Sequence, residues 1–222
     1  MLWVISRFVI ICRMTEIILA SQSPRRRKIL TEMGIGNFQT IPSEYDEILD
    51  ESRDAQEVAK ELALGKALWV AQRHPNALVI GSDTIVGVGD GRQLEKPNDI
   101  DEAREMLTAL SSGESFVTTG VALVRYADGL EMVDEDTTYV YFKPDSPKVA
   151  KAREAYLESE DWRDKAGGYG IQSGAAPLIE MIKGDYDTVV GLPSKLLTEM
   201  LGKMGIKATP VLEEAPTAQE SK

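Results

Sequence analysis

Residues 18–30, ILASQSPRRRKIL, constrain the fold of this chain more than any other stretch, because a buried-type strand leads within a few residues into a helix. The apolar run TEIILA predicts the strand. Ser23 is a favourable N-cap, Pro24 suits the first helical position, and Gly34 can end the helix. The stretch therefore predicts a strand–turn–helix unit, which is typical of α/β proteins.

Three consecutive arginines, Arg25, Arg26 and Arg27, occupy the first turn of the predicted helix. Cations are disfavoured there by about 0.3–1 kcal/mol each, because a helix N-terminus carries a partial positive charge. The free N–H groups of such a terminus bind anions, and arginine forks match phosphate oxygens. Two explanations stay open for this stretch alone: a phosphate site, or an exposed basic face that balances nearby acidic residues.

Three further segments have apolar residues at helical spacing. They cover 54–73, 99–110 and 146–159, and the third begins, like the first helix, at a Ser-Pro pair. In the longest of them, Val58, Leu62 and Val70 are expected to face the core.

Strand patterns separate these helices. Residues 77–88 predict an apolar strand that Gly81 to Thr84 are expected to interrupt, and residues 115–142 predict two strands joined by a turn. Residues 177–193 predict a hairpin that leads into a last helix. Together, the hairpins and strand–helix units indicate an α/β fold.

Charge and composition exclude several classes of function. The 222 residues carry a formal net charge of -11, whereas non-specific nucleic-acid binding needs basic surface, so no nucleic-acid partner is expected. No apolar run reaches membrane-spanning length, so no membrane partner is expected either. The single cysteine, Cys12, excludes an internal disulfide and a cysteine-cluster metal site, and the single histidine, His74, excludes a His-pair zinc site.

The two ends differ in composition from the rest. Residues 1–13 are apolar, but they lack a charged start and a small-residue cleavage site, so they make a poor signal peptide. We expect Met14 to be the natural start, with a short anchor or transit segment as the alternative. One domain is expected over 14–207, and a polar, disordered tail over 208–222.

Several carboxylates and lysines could serve an anionic ligand. Asp83 follows the apolar first part of the segment 77–88, in the region where ligands of α/β sheets gather, and it could bind a divalent cation or act as a general base. A helix cap or a plain loop aspartate is the commoner use of such a residue. The others are more typical of ordinary surface when taken singly: Glu44, Asp46, Glu47, Lys66 and Lys96.

The glycine-rich stretch DKAGGYGIQ predicts a backbone that turns tightly and approaches a ligand closely. Gln172 at its end offers both a donor and an acceptor, as reading a nucleobase edge requires. Neither the P-loop spacing nor the dinucleotide-binding fingerprint is present. The stretch therefore indicates a nucleotide pocket of another kind.

Six pieces in this order resemble the Maf (septum-formation-inhibitor-like) nucleotide pyrophosphatases over about residues 17–205: LASQSPRR, GSDTIV, LEKP, TTGVAL, DKAGGYGIQ and GDYDTVVGLP. The resemblance implies a two-lobed, mixed-sheet α/β fold similar to that of the inosine triphosphatases, with a central nucleotide cleft. It implies hydrolysis of a nucleoside triphosphate to the monophosphate and diphosphate with Mg²⁺ or another divalent cation. A cytoplasmic homodimer is the setting that it implies.

The resemblance also implies roles for single residues. Asp83 matches the proton acceptor for the attacking water and a metal ligand, and Glu47 matches the acidic position that serves the metal. Lys66 and Lys96 match basic positions around the triphosphate. The substrate-binding matches are Ser23 and Arg26 in the phosphate turn, and Lys165 and Gln172 in the base-side loop. A histidine common in relatives is absent here, since Ser115 or Phe116 occupies its place.

Three positions bear on the base. Arg25, Thr84 and Gln172 match the branch of the family that favours dTTP and UTP, whereas the branch for methylated guanine nucleotides carries a tryptophan in place of Arg25. Loss of the indole removes a stacking surface suited to a cationic purine. The alternatives are a nucleotide-binding cell-division regulator without turnover and an inosine-triphosphate-type pyrophosphatase.

Overall fold

A mixed β-sheet organises the part of the chain that the computed structural model describes, residues 16–46 and 53–206. Its strands are β1 (Ile17–Leu19), β2 (Phe38–Thr40), β3 (Leu78–Val88), β4 (Gln93–Leu94), β5 (Ser115–Arg125), β6 (Leu130–Phe142) and β7 (Ile179–Lys183). The sheet order is β2-β1-β3-β5-β6-β7, and β4 pairs with β3. β1 runs parallel to β2 and β3, and the remaining pairs are antiparallel. The α/β fold class is confirmed.

Helices cover this sheet and join its strands. They are α1 (Pro24–Glu32), α2 (Ala55–Ala71), α3 (Ile100–Ser111), α4 (Pro147–Glu158), α5 (Tyr186–Val190) and α6 (Ser194–Lys203). Within the described ranges, no helix has the length and apolar character needed to cross a membrane. The predicted extension 1–13, the tail 208–222 and Glu47 lie outside the described residues.

The strand–turn–helix unit at the start of the fold is confirmed. Ser23 has extended backbone angles, and its side chain accepts a hydrogen bond from the N–H of Arg26, so it is the N-cap of α1. Gly34 follows the helix with φ of 78°, a conformation that favours glycine. β1 pairs with β3, so the N-terminus of α1 lies close to the middle of the sheet.

The predicted interruption of the strand over 77–88 is wrong, because β3 is continuous through Gly81, Ser82, Asp83 and Thr84. Its backbone pairs with β5 along this whole stretch. A Cβ at Gly81 would lie 2.2 Å from the backbone oxygen of Ala63 in α2. The glycine therefore lets α2 pack directly on the strand and does not break it.

The predicted hairpin over 177–193 is also wrong. Its first limb, β7, pairs with β6, but the second limb is the short helix α5. Asp185 caps this helix by accepting from the N–H of Asp187, and Gly191 ends it with φ of 112°. Local capping and burial of Val190 thus override the strand propensity of the TVV run.

Two hydrophobic clusters divide the molecule into lobes. The first lobe packs α1 and α6 on one face of the sheet, with Leu19, Leu30 and Leu197 fully buried. The second packs α3 and α4 on the far end of the sheet, around Leu107 and Trp162. Helix α2 covers the opposite face of the sheet, and its predicted core residues are buried: Val58, Leu62 and Val70. The sheet is continuous through both lobes, so the space between them is a cleft on its surface.

Candidate functional site

A cleft of about 1130 Å³ lies between the lobes. Its walls come from the turn before α1, from β3, from the loop after β4 and from the glycine-rich loop over 164–173. Every predicted site residue within the described ranges lines it: Ser23, Arg25, Arg26, Lys66, Asp83, Thr84, Lys96, Lys165 and Gln172. Residues that are far apart in sequence thus line one cleft between two lobes, as the family resemblance implied.

Lys66 and Asp83 form a buried ion pair at the floor of the cleft. Lys66 Nζ donates to Asp83 Oδ1, and the two residues are only 9% and 7% exposed. The close packing of α2 on β3 at Gly81 places the lysine beside the carboxylate. Removing one partner of such a pair leaves an uncompensated buried charge, at a typical cost of about 3–5 kcal/mol. The sequence predicted both residues but not their pairing.

Arg26 lines the cleft, and its guanidinium donates hydrogen bonds to other parts of the protein. Nε donates to the carbonyl oxygen of Gly191 (2.7 Å), Nη1 to that of Ser82 (2.8 Å), and Nη2 to Thr84 Oγ1 (3.0 Å). These acceptors belong to β3 and to the turn between α5 and α6. Arg26 therefore fixes α1 to both elements, a role that the phosphate interpretation did not include.

Arg25 and Lys165 both bind Asp164 at the cleft. Arg25 Nη1 lies 3.6 Å from the Asp164 carboxylate, and Lys165 Nζ donates to it at 2.7 Å. Partial burial of this carboxyl would raise its pKa, but the hydrogen bond and charge of Lys165, with Arg25 nearby, outweigh burial and hold the pKa below its ordinary value. The contact joins α1 of the first lobe to the glycine-rich loop of the second.

Lys96 and Gln172 extend into the cleft from exposed loops. Neither side chain forms a hydrogen bond or ion pair with another residue in the described part of the chain, so both keep donors for a ligand. Ser23 differs, because its hydroxyl already accepts from the N–H of Arg26 at 3.4 Å. That weak contact caps α1 and leaves the hydroxyl proton for another acceptor.

Two buried polar residues of the cleft wall were not predicted as site residues. Gln93 is 8% and Tyr169 is 6% exposed, and among the described residues Gln93 Oε1 and the Tyr169 hydroxyl have no hydrogen-bond partner. Burial raises the pKa of Tyr169. In the sequence, only the neighbouring glycines pointed to Tyr169. No sequence feature pointed to Gln93, because the burial of a single glutamine depends on tertiary packing.

The oxygen donors of the cleft fit one mode of metal binding. The described residues contain no group of three or more acidic, histidine or cysteine side chains that would enclose an ion. Mg²⁺ in nucleotide sites is commonly held by one or two carboxylates together with substrate phosphates. Asp83 is a hard oxygen donor in the cleft, so the site fits an ion shared with a phosphorylated ligand.

A family model and several known proteins match this chain over most of its length. The model of the Maf family, described as "Maf-like protein", matches residues 16–204. A dTTP/UTP pyrophosphatase of Symbiobacterium thermophilum is 45% identical over 86% of this chain and 95% of its own. One of Pyrococcus abyssi is 44% identical over 87% of this chain and 98% of its own. Among solved structures, a HAM1 protein from Coxiella burnetii matches with a TM-score of 0.47 and 15% identity, covering 86% of this chain and 100% of that one. With a family match over nearly the whole described chain and relatives this similar, the chain belongs to the Maf family.

Proposed function

We propose that this chain hydrolyses dTTP and UTP, and modified uridine triphosphates such as 5-methyl-UTP, to the nucleoside monophosphate and diphosphate. The observation that carries the proposal is the buried Lys66–Asp83 pair at the floor of a cleft that also receives the N-terminus of α1. Two relatives that are more than 40% identical to this chain are named dTTP/UTP pyrophosphatase.

Asp83 acts on the attacking water in this reaction. The carboxylate takes a proton from water, whose oxygen forms a bond to the α-phosphorus as the bond to the bridging oxygen breaks. Diphosphate leaves with the electron pair of that bond. The hydrogen bond from Lys66 fixes the orientation of the buried Asp83 carboxylate. A carboxylate of fixed orientation can position a water molecule for attack.

The cations around the cleft stabilise the phosphates. Arg25 and Lys96 lie at its walls, and the N-terminal N–H groups of α1 add a partial positive charge. A protein of net charge -11 would otherwise repel a triphosphate. Of the three arginines in the first turn of α1, Arg25 and Arg26 line the cleft, where the charge of a bound triphosphate is negative.

A divalent cation is part of the proposal. Asp83 would hold it together with substrate oxygens, and Glu47, which lies outside the described residues, is the second carboxylate that the family resemblance implies. Bound Mg²⁺ would supply charge neutralisation on the phosphates. The same resemblance supports a cytoplasmic homodimer, for which light scattering on the purified chain is the test of oligomeric state.

Base preference is proposed to depend on the cleft positions of the dTTP/UTP branch. Gln172 is exposed in the cleft and offers an amide that can pair with the carbonyls and N–H of uracil or thymine. Thr84 is small enough to leave room in the wall, although its hydroxyl oxygen contacts Arg26 and Thr119. A site built on such hydrogen bonds rejects a mismatched base, because its polar groups are then left unpaired.

A panel of nucleotides tests the proposal. Purified protein with Mg²⁺ is given dTTP, UTP, CTP, ITP, ATP and 7-methyl-GTP, and chromatography separates diphosphate from monophosphate and inorganic phosphate. We expect diphosphate with the highest kcat/KM for dTTP and UTP, and its near-complete loss in Asp83→Asn. Asp90→Asn, at an exposed turn carboxylate, is the matched control.

Each alternative predicts a different result from the same panel. A preference for ITP would indicate an inosine-triphosphate-type enzyme, and a preference for 7-methyl-GTP would show that the base assignment is wrong. Nucleotide binding by calorimetry without any diphosphate would indicate a regulator that holds its ligand without turnover.

A further inference from the structure

A chain of hydroxyl groups runs from Arg26 into the interior behind the cleft. Arg26 Nη2 donates to Thr84 Oγ1 at 3.0 Å, Thr84 Oγ1 lies 3.0 Å from Thr119 Oγ1, and Thr119 Oγ1 donates to the carbonyl oxygen of Thr188 at 2.8 Å. A hydroxyl has one proton to donate. Since Thr119 gives its proton to Thr188, Thr84 must give its own to Thr119, and this turns a lone pair of Thr84 toward Arg26.

The far end of this chain has no access to the cleft. Thr119 and Thr188 are 0% exposed, and neither lines the cavity. Thr84 does line it and is partly buried. Thr119 can therefore affect a bound nucleotide only through the residues that it orients.

Helix α5 gives Arg26 a second link to the same interior. Thr188 Oγ1 donates to Asp136 of β6, and Thr138 of β6 donates to the carbonyl of Asp185 at 3.0 Å, so the middle of α5 and its N-cap are tied to the sheet. The carbonyl of Gly191, directly after α5, accepts from Arg26 Nε and from Ser82 Oγ. Two different nitrogens of Arg26 are thus positioned by one short helix, whose Thr188 and Val190 are buried.

The packing leaves little freedom at the point where these links meet. A Cβ at Gly191 would lie 3.1 Å from Thr84 Oγ1 and 3.2 Å from Arg26 Nε. Arg26 also reaches the carbonyl of Ser82, the residue before Asp83 in β3. The orientation of Arg26 therefore sets where the N-terminus of α1 lies relative to the carboxylate.

We propose that Thr119 is a positioning residue for the reaction at this site: its buried hydroxyl orients Thr84, which aims Arg26 and holds the phosphate-binding turn of α1 against Asp83. The proposal rests on the function proposed above. In this arrangement the Thr84 hydroxyl is a link between Thr119 and Arg26, and it does not have to contact the base.

Three substitutions on one strand test the hydroxyl. Thr119→Val keeps the shape and removes the donor, and Thr119→Ser keeps the donor. Thr118→Val is the matched control, because Thr118 is equally buried in β5 but its hydroxyl pairs with Thr137 at 2.6 Å, away from Arg26. We expect kcat for dTTP to fall about 10–100-fold in Thr119→Val, as a misplaced reacting group does, and to stay within about threefold of the parent in the other two variants.

Loss of folded protein is measured separately. Calorimetric titration with a dTTP analogue that carries a methylene bridge between the α and β phosphorus atoms gives the fraction of chains competent to bind, and kcat is expressed per competent chain. Full activity in Thr119→Val, an equal loss in Thr118→Val, or failure of Thr119→Ser to restore turnover would each overturn the proposal.

A second readout needs no turnover. The Arg26 Nε–H, assigned by its loss in Arg26→Lys, is expected to give a slowly exchanging ¹⁵N signal in the parent, in Thr119→Ser and in Thr118→Val. It is expected to exchange faster in Thr119→Val. An unchanged signal in Thr119→Val overturns the positioning role even if the parent releases no diphosphate, so failure of this proposal is distinguishable from failure of the proposed function.

Discussion

Gly81 of β3 lies directly beneath Ala63 of α2, so close that a Cβ on the glycine would be 2.2 Å from the helix carbonyl. The backbone of α2 contacts the backbone of β3 at this point. The next turn of α2 places Lys66 beside Asp83. Gly120 of β5 makes the equivalent contact with the carbonyl of Ala59. The height of α2 above the sheet is therefore set by two glycines.

Gly81→Ala is expected to push α2 away from the sheet. Overpacking of this kind costs about 1–3 kcal/mol of unfolding free energy, and here it also separates Lys66 from Asp83, so turnover should fall with it. Urea unfolding and diphosphate release measure the two effects. Gly113→Ala, where nothing lies within 4 Å of the added Cβ, should change stability by less than about 0.5 kcal/mol; an equal loss there would contradict the packing argument.

Lys66→Met is expected to lower the unfolding free energy by about 3–5 kcal/mol, because it removes the cation that pairs with the buried carboxylate of Asp83. Adding Asp83→Asn to that variant removes the stranded charge, so the double variant should be more stable than Lys66→Met alone. Chemical denaturation of the four proteins of the cycle gives the coupling between the residues. Simple additivity of the two single effects would show that the pair is not coupled.

Tyr169→Phe is expected to raise stability, because it removes a buried hydroxyl that has no hydrogen-bond partner among the described residues. An unsatisfied buried polar group costs about 1–3 kcal/mol. Tyr156→Phe is the control with the opposite expectation. The Tyr156 hydroxyl accepts from the N–H of Gly170 at 3.0 Å, so its removal should lower the unfolding free energy by about 1 kcal/mol. Thermal unfolding ranks the three proteins, and a destabilised Tyr169→Phe would mean that its hydroxyl is satisfied in solution.

Stability is expected to fall in alkaline solution between about pH 10 and pH 12. Burial raises the pKa of Tyr156 to about 12, and burial raises the pKa of Tyr169 as well, against an ordinary value of about 10 in the unfolded chain. The unfolded state then loses these protons at lower pH than the folded state, so the stabilisation is complete below pH 10 and is lost as the pH rises. Unfolding free energies across this range should show a shallower decline in Tyr156→Phe, and an unchanged slope would contradict the assignment.

The sequence predicted those features that depend on neighbours along the chain. Ser23 and Pro24 mark the start of α1, and apolar spacing predicts the buried face of α2, because caps and periodicity are local properties. The membership of the cleft was predicted from the resemblance, and every such residue within the described ranges lines it. What could not be predicted depends on distant partners. Gly81 is required by its contact with Ala63 of another element, and one acceptor for Arg26 is Gly191, near the other end of the domain.

The ion pair between Arg25 and Asp164 spans the cleft with a separation of 3.6 Å, and the carboxylate side chain is 70% exposed. Exposed pairs of this kind are worth only about 0–1 kcal/mol, and exposed side chains change rotamer in picoseconds to nanoseconds. The Arg25 side chain is 33% exposed, and a pair this weak does not hold the cleft closed. A nucleotide that diffuses to the cleft therefore meets a barrier of no more than about 1 kcal/mol from this pair.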